Sequence, residues 1–538
     1  MSKNTKTEDQ KSKTKNHFVW LLLALLIVFV YFFGLTIPLL GPDEPRYSQI
    51  AREMFERGDF VTPKLGGFDW FEKPALLYWL QIFSYKIFGV TEFAARFGSA
   101  IFGLLTIFSL WILGRNLTNR RKDEKTQNDL EFGIWNLEFA NWLALIAASS
   151  IGLIVFSRGA SFDIILTFPI TASLVGFFIF DLTYSRKVAQ PQPSQNSLFT
   201  FHFSLFTFHF FIGIALIAKG LIGIIFPIAI VGFYYLLLWK LPNKTFILSL
   251  FWGTILSLLI ASLWYVPMYQ ANGWKFIDEF FIQHHFQRYL SNKYQHPQPF
   301  WFFFLVLPLM TIPWLPFFLA SIWDFFKSSK FKVNSSKSKD QNSDKISTQH
   351  SALSTFAFAW MLVPLVFFSI SGSKLPGYIL PALPGALILT ALYVDKFVQK
   401  SVNRKYALQI LAFLMFIIVI LLLQFAAPKY AAQDSVKGLV AAANKDGFTS
   451  EKIVNLYTVS HNLEFYAPSR LVRNNDGTQK RYDDFSVLVN DIKNTADGKI
   501  LVLVPQKDLA KLLTENPSVE TKLLSDNGEE AIILVKVK

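Results

Sequence analysis

The stretch ALLYWLQIFSYKIFGV, residues 75–90, admits two readings, and the choice between them decides how every later segment is disposed. It is apolar enough for a membrane span, yet short for one and interrupted by Lys86. If it crosses, the loop holding Arg115, Arg120, Arg121, Lys122 and Lys125 falls on the outer side, and each later basic loop inverts with it. If it lies in the interface as an amphipathic helix, that loop becomes cytoplasmic. So do Arg186 with Lys187, Lys240 with Lys244, the Lys-rich 327–345 segment, and Lys396 with Arg404 and Lys405. Only the second reading satisfies the excess of cytoplasmic Lys and Arg in all of these loops, so 75–90 is expected not to cross.

Composition agrees with a membrane protein. Of 538 residues, 52% are hydrophobic and 17% charged, against roughly a quarter charged in an ordinary soluble domain. The 57 phenylalanines and the other apolar residues are bunched into stretches of about 20 between short basic clusters, the length that crosses a bilayer core as a helix. A formal charge of +14 would suggest nucleic acid in a soluble protein. Here the Lys and Arg flank the apolar runs and set topology, so membrane lipids are the expected surroundings and no nucleic acid is expected. With no Cys in the chain, disulfides, cysteine zinc sites, Fe–S clusters and cysteine nucleophiles are excluded. Any metal must use His and carboxylate ligands.

Residues 1–17 are polar and carry Lys3, Lys6, Lys11, Lys13 and Lys15. The apolar run 18–40 is too long for a signal-peptide core, and no small-residue cleavage site follows it, so it is expected to be a first span with a cytoplasmic N-terminus. Further spans are expected near 93–114, 134–156, 162–181, 199–217, 220–239, 247–268, 300–323, 353–371, 376–394 and 406–427. The expected fold class is therefore a polytopic α-helical membrane protein of about 11–13 transmembrane helices. Its predicted domains are a cytoplasmic tail 1–17, a transmembrane domain 18–427 with a first outer loop 41–92, and a C-terminal domain 428–538 on the outer side. In that last part, strand-like runs at 500–504 and 531–535 alternate with a helical pattern at 507–513, which predicts a small α/β domain. The segment 330–350 has the composition of a disordered loop, and no repeat at a fixed period is visible.

The outer loops hold the chemistry. Asp43 and Glu44 precede Pro45, and Tyr47, Ile50, Ala51, Met54 and Phe55 follow at helical spacing until Gly58. This predicts an amphipathic helix with an acidic pair at its N-terminus, where capping alone explains such a pair. Glu72 and Lys73 open the 75–90 helix, and an adjacent Glu–Lys pair is usually solvated surface. In the 269–299 loop, His284, His285, Arg288 and Tyr289 follow a run of aromatics, with His284 and Arg288 on one face. Interfacial snorkelling explains Arg288 as well as anion binding does. The turn at 371–378 brings Lys374 and Tyr378 to the mouth of two spans, and another turn contributes Arg158 and Asp163. Cations beside carboxylates at headgroup depth suit a lipid phosphate and a general base.

The run Asp43-Glu44-Pro45-Arg46-Tyr47, with Ile50-Ala51-Arg52-Glu53-Met54, Gly58-Asp59-Phe60-Val61-Thr62-Pro63 and Phe71-Glu72-Lys73-Pro74, resembles the first outer loop of the bacterial aminoarabinose (lipid A) transferases. These belong to the wider protein mannosyltransferase-like group of C-type membrane glycosyltransferases. The resemblance continues through Phe93-Ala94-Ala95-Arg96, Ala218-Lys219-Gly220, the 285–289 segment and Ser373-Lys374-Leu375-Pro376-Gly377-Tyr378-Ile379-Leu380-Pro381. It implies Asp43 as the catalytic carboxylate, and Lys73, Arg288 and Tyr378, with Lys374, at the donor phosphate. Glu44, Arg46, Tyr47 and Asp163 are the expected positioning residues for acceptor and sugar. Glu72 and His285 match positions able to hold a divalent metal, a structural zinc. The chain departs from its relatives at His284, where they often carry Glu.

The resemblance thus implies an inverting glycosyltransferase of the bacterial inner membrane. Its donor would be an undecaprenyl phosphate-linked sugar, with no nucleotide cofactor, and its acceptor a periplasmic lipid, glycan or protein. The rival readings are a protein O-glycosyltransferase of the mannosyltransferase type, a transporter of lipid-linked sugars, marked by charges inside the spans and inverted repeats, and a structural assembly protein.

Overall fold

In lipid a chain must satisfy its backbone hydrogen bonds within its own segments, and each of the eleven apolar segments is built around helix. The structure, a computed structural model, describes residues 18–118, 132–189, 195–287, 298–332, 341–493, 498–514 and 519–538. Among the described residues, seven helices are long and apolar enough to cross a membrane, or eight if one bent pair counts as a span. The sequence predicted eleven, and the difference lies in shorter and broken helices. The 18–40 run forms only Phe18–Phe32, because Gly34 adopts a left-handed φ of 72° and the chain leaves the helix. Ile222–Leu237 is likewise short. The 134–156 segment breaks at Ser150, which is extended (φ −72°, ψ 131°), and the 300–323 segment bends by 115° between Met310 and Leu315. The two breaks satisfy each other: Ile151 N–H donates to Ile312 O at 2.8 Å, and Trp314 Nε1–H donates to Ser149 Oγ at 2.9 Å. The 75–90 segment forms Leu76–Phe88, 13 residues, which at 1.5 Å per residue falls short of a hydrocarbon core of about 30 Å.

The chain divides into two compact units. One comprises residues 18–33, 72–76 and 99–419; the other comprises 34–71, 77–98 and 420–538. In the first, Phe162–Ala189 packs on Gln195–Lys219, which packs in turn on Ile222–Leu237 and Lys244–Ile277. Aromatic rings fill the core, with Phe178 stacked on Phe356 at 4.9 Å between centroids. The Asp181 carboxylate there accepts hydrogen bonds from Tyr234 and Tyr235 at 3.1 and 2.9 Å, which offsets the cost of burying it. Arg158 donates to Val30 O at 2.6 Å and to Phe33 O, satisfying carbonyls at the C-terminal end of Phe18–Phe32.

The second unit holds a short hairpin, β1 (Lys64–Leu65) and β2 (Phe68–Asp69), and the C-terminal sheet. That sheet contains β3 (Ile453–Leu456), β4 (Arg481–Tyr482), β5 (Lys499–Pro505), β6 (Val519–Asp526) and β7 (Glu530–Val537), in the order β4-β3-β5-β7-β6. Strands β4, β3 and β5 run parallel, whereas β5, β7 and β6 are antiparallel. The predicted strands at 500–504 and 531–535 are the cores of β5 and β7, and the predicted helix is Gln506–Thr514. Ile500, Val502 and Val504 join one hydrophobic cluster, while Leu501 and Leu503 join the cluster on the other face. That two-sided burial is why β5 reads as an unbroken apolar run rather than an alternating one.

Candidate functional site

In the second unit the acidic pair opens the helix Asp43–Arg57. Carboxylates in the first turn complement the helix dipole, and Tyr47, Ile50, Ala51 and Met54 form the buried face. Gly58 ends the helix at φ 67°; its N–H donates to Phe55 O and that of Asp59 to Met54 O, the paired closure that a left-handed residue makes possible. The capping expectation is corrected here. The N-cap is Pro42 and makes no side-chain cap bond, so Asp43 is the first residue of the first turn and not its cap.

The two neighbouring acids have different fates. Glu44 is held by Arg96, which is 2% exposed and donates to its two carboxylate oxygens at 3.0 and 2.5 Å. Glu44 also accepts the Leu40 N–H at 2.8 Å. The same guanidinium donates to Leu35 O, Ile37 O and Pro38 O at 3.0, 2.5 and 2.9 Å. Arg96 thereby organises the irregular segment that leads into the helix. Asp43 retains 49% exposure of its side chain and pairs with Arg46. Arg46 also donates to Pro42 O at 3.0 Å, and its guanidinium lies 5.7 Å from the centre of the Trp70 ring. Of the predicted positioning residues, Tyr47 is 5% exposed, with its ring 6.5 Å from that of Tyr78.

One neighbour of Asp43 and Arg46 comes from the C-terminal domain. Burial pulls the His461 imidazole down to about 4; the Arg46 charge acts in the same direction and that of Asp43 against it. His461 is therefore neutral at pH 7, and its Nδ1 is buried without a hydrogen-bond partner among the described residues. No local pattern marks it, because it reaches the first loop only through the packing of Leu463–Tyr466 against Asp43–Arg57.

In the first unit, Glu72 and Lys73 form an ion pair at 2.9 Å with side chains only 10% and 12% exposed, rather than the solvated pair such neighbours usually make. Asp163 lies in the first turn of Phe162–Ala189 and pairs with Lys219, the last residue of Gln195–Lys219. The Lys219 ammonium lies 5.0 Å from the centre of the Tyr378 ring. Lys374 donates to Ser371 O and Gln298 O at 2.6 and 3.1 Å. Asp163 and Tyr378 are thus brought together around Lys219, a residue the sequence marked only through the Ala218-Lys219-Gly220 run. Arg288 and the His285 side chain lie outside the described residues. Among the described residues no three His, Cys, Asp or Glu side chains are grouped for a metal, and Glu72 is engaged by Lys73.

Gly377 makes the Asp163 arrangement possible. A Cβ at 377 would lie 1.9 Å from Asp163 Oδ2, so Gly377→Ala should push the carboxylate off Lys219. Such overpacking costs about 1–3 kcal/mol, and a lowered melting temperature in detergent is the expected result. Gly232→Ala is the control, because nothing lies within 4 Å of its added Cβ and a helical Gly→Ala change is neutral to stabilising.

The chain resembles known proteins in both sequence and fold. A family model described as dolichyl-phosphate-mannose-protein mannosyltransferase matches residues 72–123. The undecaprenyl phosphate-alpha-4-amino-4-deoxy-L-arabinose arabinosyl transferase 2 of Proteus mirabilis is 30% identical over 424 residues, covering 76% of this chain and 66% of that protein. The corresponding transferase of Yersinia enterocolitica is 28% identical over 383 residues, covering 70% and 60%. The chain thus spans less than two thirds of the length of these relatives. Among solved structures, ArnT from Cupriavidus metallidurans bound to undecaprenyl phosphate superposes with a TM-score of 0.71 at 20% identity, covering 96% of this chain and 97% of ArnT. The archaeal oligosaccharyltransferase AglB from Archaeoglobus fulgidus gives 0.54 at 13% identity, covering 93% and 70%. The chain is therefore a homologue of the bacterial ArnT-like aminoarabinose transferases and has the fold of the C-type membrane glycosyltransferases.

Proposed function

We propose that this protein is an inverting glycosyltransferase of the bacterial inner membrane that moves a sugar from undecaprenyl phosphate to a periplasmic acceptor. The bond between sugar C1 and the phosphate oxygen breaks, the acceptor oxygen bonds to C1 from the opposite side, and undecaprenyl phosphate leaves. Asp43 orients the acceptor and takes the proton of an attacking hydroxyl; if the acceptor is itself a phosphate, Asp43 mainly positions it. Lys73 and Arg288, with Lys374 and Tyr378, stabilise the phosphate as its negative charge grows. The observation that carries this reading is the divergence of the acidic pair: Glu44 is consumed by Arg96, while Asp43 remains half exposed at a fixed backbone position. The relatives' names and the undecaprenyl phosphate bound by ArnT support the donor class. Aminoarabinose is the sugar that these relatives' names favour, and a lipid A-type glycolipid is the acceptor that the first-loop resemblance implies. The 72–123 match favours a protein acceptor as the second reading. The five basic loops support a cytoplasmic N-terminus and a periplasmic C-terminal domain.

Membranes containing the protein, given labelled undecaprenyl phosphate-aminoarabinose, should transfer label to lipid. Label in protein would select the second reading, and no transfer to any acceptor would overturn the proposal. At the donor, Lys73→Ala should weaken the binding of undecaprenyl phosphate to purified protein about ten- to a hundredfold, the loss of one charge-assisted contact of about 1.5–3 kcal/mol. Binding within twofold of wild type would remove Lys73 from this role, since about a twofold change is under 0.5 kcal/mol. The zinc proposal rests on Glu72 and His285, two protein ligands where zinc takes four. Elemental analysis should find zinc in the purified protein. Its absence, together with activity unchanged by chelator, would dispose of the metal.

A further inference from the structure

Two hydrogen bonds tie the backbone just upstream of Asp43 to the C-terminal domain. Leu39 N–H donates to the Tyr466 hydroxyl at 2.8 Å, and Gly41 N–H donates to the Asp434 carboxylate at 2.9 Å. The Tyr466 hydroxyl in turn donates to Glu92 Oε1 at 3.1 Å, and Lys437 pairs with the same oxygen at 2.6 Å. Asn462 Nδ2 donates to Asp434 O at 3.2 Å, joining one anchor to the chain that carries the other.

These ties matter because of what they hold. The segment 38–42 has no helix or strand pairing to fix it, and Gly41 turns it through a left-handed φ of 59° two residues before Asp43. Leu39 is fully buried, so its N–H requires a partner, and Tyr466 supplies one. Arg96 fixes the carbonyls on one side of this segment, while Tyr466 and Asp434 fix its N–H groups. The same stretch of the C-terminal domain packs here, with Leu463–Tyr466 against the helix Asp43–Arg57, which brings His461 near the charges of Arg46 and Asp43.

We propose that Tyr466 and Asp434 are positioning residues for sugar transfer: through Leu39 and Gly41 they set the place of the Asp43 carboxylate, so that the C-terminal domain governs turnover. This rests on the reading of Asp43 as the acceptor-side group. Neither residue touches the reacting atoms. A reacting group misplaced by about 1 Å costs up to a hundredfold in rate, and a single lost tether of two should cost less than that.

The test uses the full-length protein in nanodiscs, with labelled undecaprenyl phosphate-aminoarabinose as donor and lipid A as acceptor. Tyr466→Phe keeps the ring and removes the hydroxyl, and Asp434→Ala removes the acceptor for Gly41. Each should lower kcat about tenfold, with the KM for donor within about twofold of wild type. Asp434→Asn keeps an acceptor oxygen and should recover most of the loss. A purely structural effect is separated by the Asp43→Asn background, where adding Tyr466→Phe should leave the residual rate unchanged, because residues acting through one group are not additive. A full further loss in that background, or a Tyr466→Phe protein that transfers at the wild-type rate, would overturn the proposal. A wild type that transfers no sugar would overturn the parent reading as well, and so differs from failure of this inference alone.

Discussion

Asp43→Asn should lose transfer activity by about a hundredfold or more, the usual cost of removing a general base, while its melting temperature in detergent stays close to wild type. The side chain keeps its shape, and little structure depends on its charge. Asp43 is half exposed, and its pairing with Arg46 spans one helical turn at the surface, an arrangement worth about 1 kcal/mol or less. The favourable position of its charge at the start of the helix dipole adds about 0.3–1 kcal/mol. Because Pro42 and not Asp43 is the N-cap, Asp43→Ala should be nearly as stable as Asp43→Asn. A capping residue would instead separate the two variants by about 1 kcal/mol. Transfer rate and melting temperature measured on both variants give the answer, and an active Asn variant would take Asp43 out of the mechanism.

Arg96→Ala should be the most destabilising single change among the residues that hold the 35–44 segment. It removes the positive partner of Glu44, whose side chain is 13% exposed, and leaves an uncompensated carboxylate, a change that costs about 3–5 kcal/mol. The carbonyls of Leu35, Ile37 and Pro38 lose a donor at the same time. A large fall in melting temperature, with poor recovery of folded protein from membranes, is the expected measurement. Glu44→Gln should be milder, since the amide oxygen still accepts from Arg96. Replacing Arg96 and Glu44 together by Leu should restore only part of the loss, because the three backbone carbonyls would still lack a donor. If Arg96→Ala melted like wild type, the guanidinium would not be what holds the 35–44 segment.

Much of this architecture was legible in the amino-acid sequence. The helix Asp43–Arg57 follows from the spacing of Tyr47, Ile50, Ala51 and Met54 and from Gly58 behind them. The apolar helices follow from runs of about 20 residues between basic loops, and β5 and β7 follow from their own dense apolar runs. These are local properties: a helical face, a left-handed stop and an unbroken buried strand each need only a few neighbouring residues to declare them. The family resemblance of the first loop is local in the same way. Tertiary structure alone decided which of two adjacent acids is available. Glu44 meets Arg96, 52 positions away; Lys219 reaches Asp163 across 56; and Tyr466 reaches Leu39 across 427. The breaks at Ser150 and 311–314 are stable because each supplies hydrogen-bond partners for the other, which neither segment announces. A charge or an open backbone group finds its partner by packing, and chain spacing carries no record of a partner that only the folded chain brings within 3 Å.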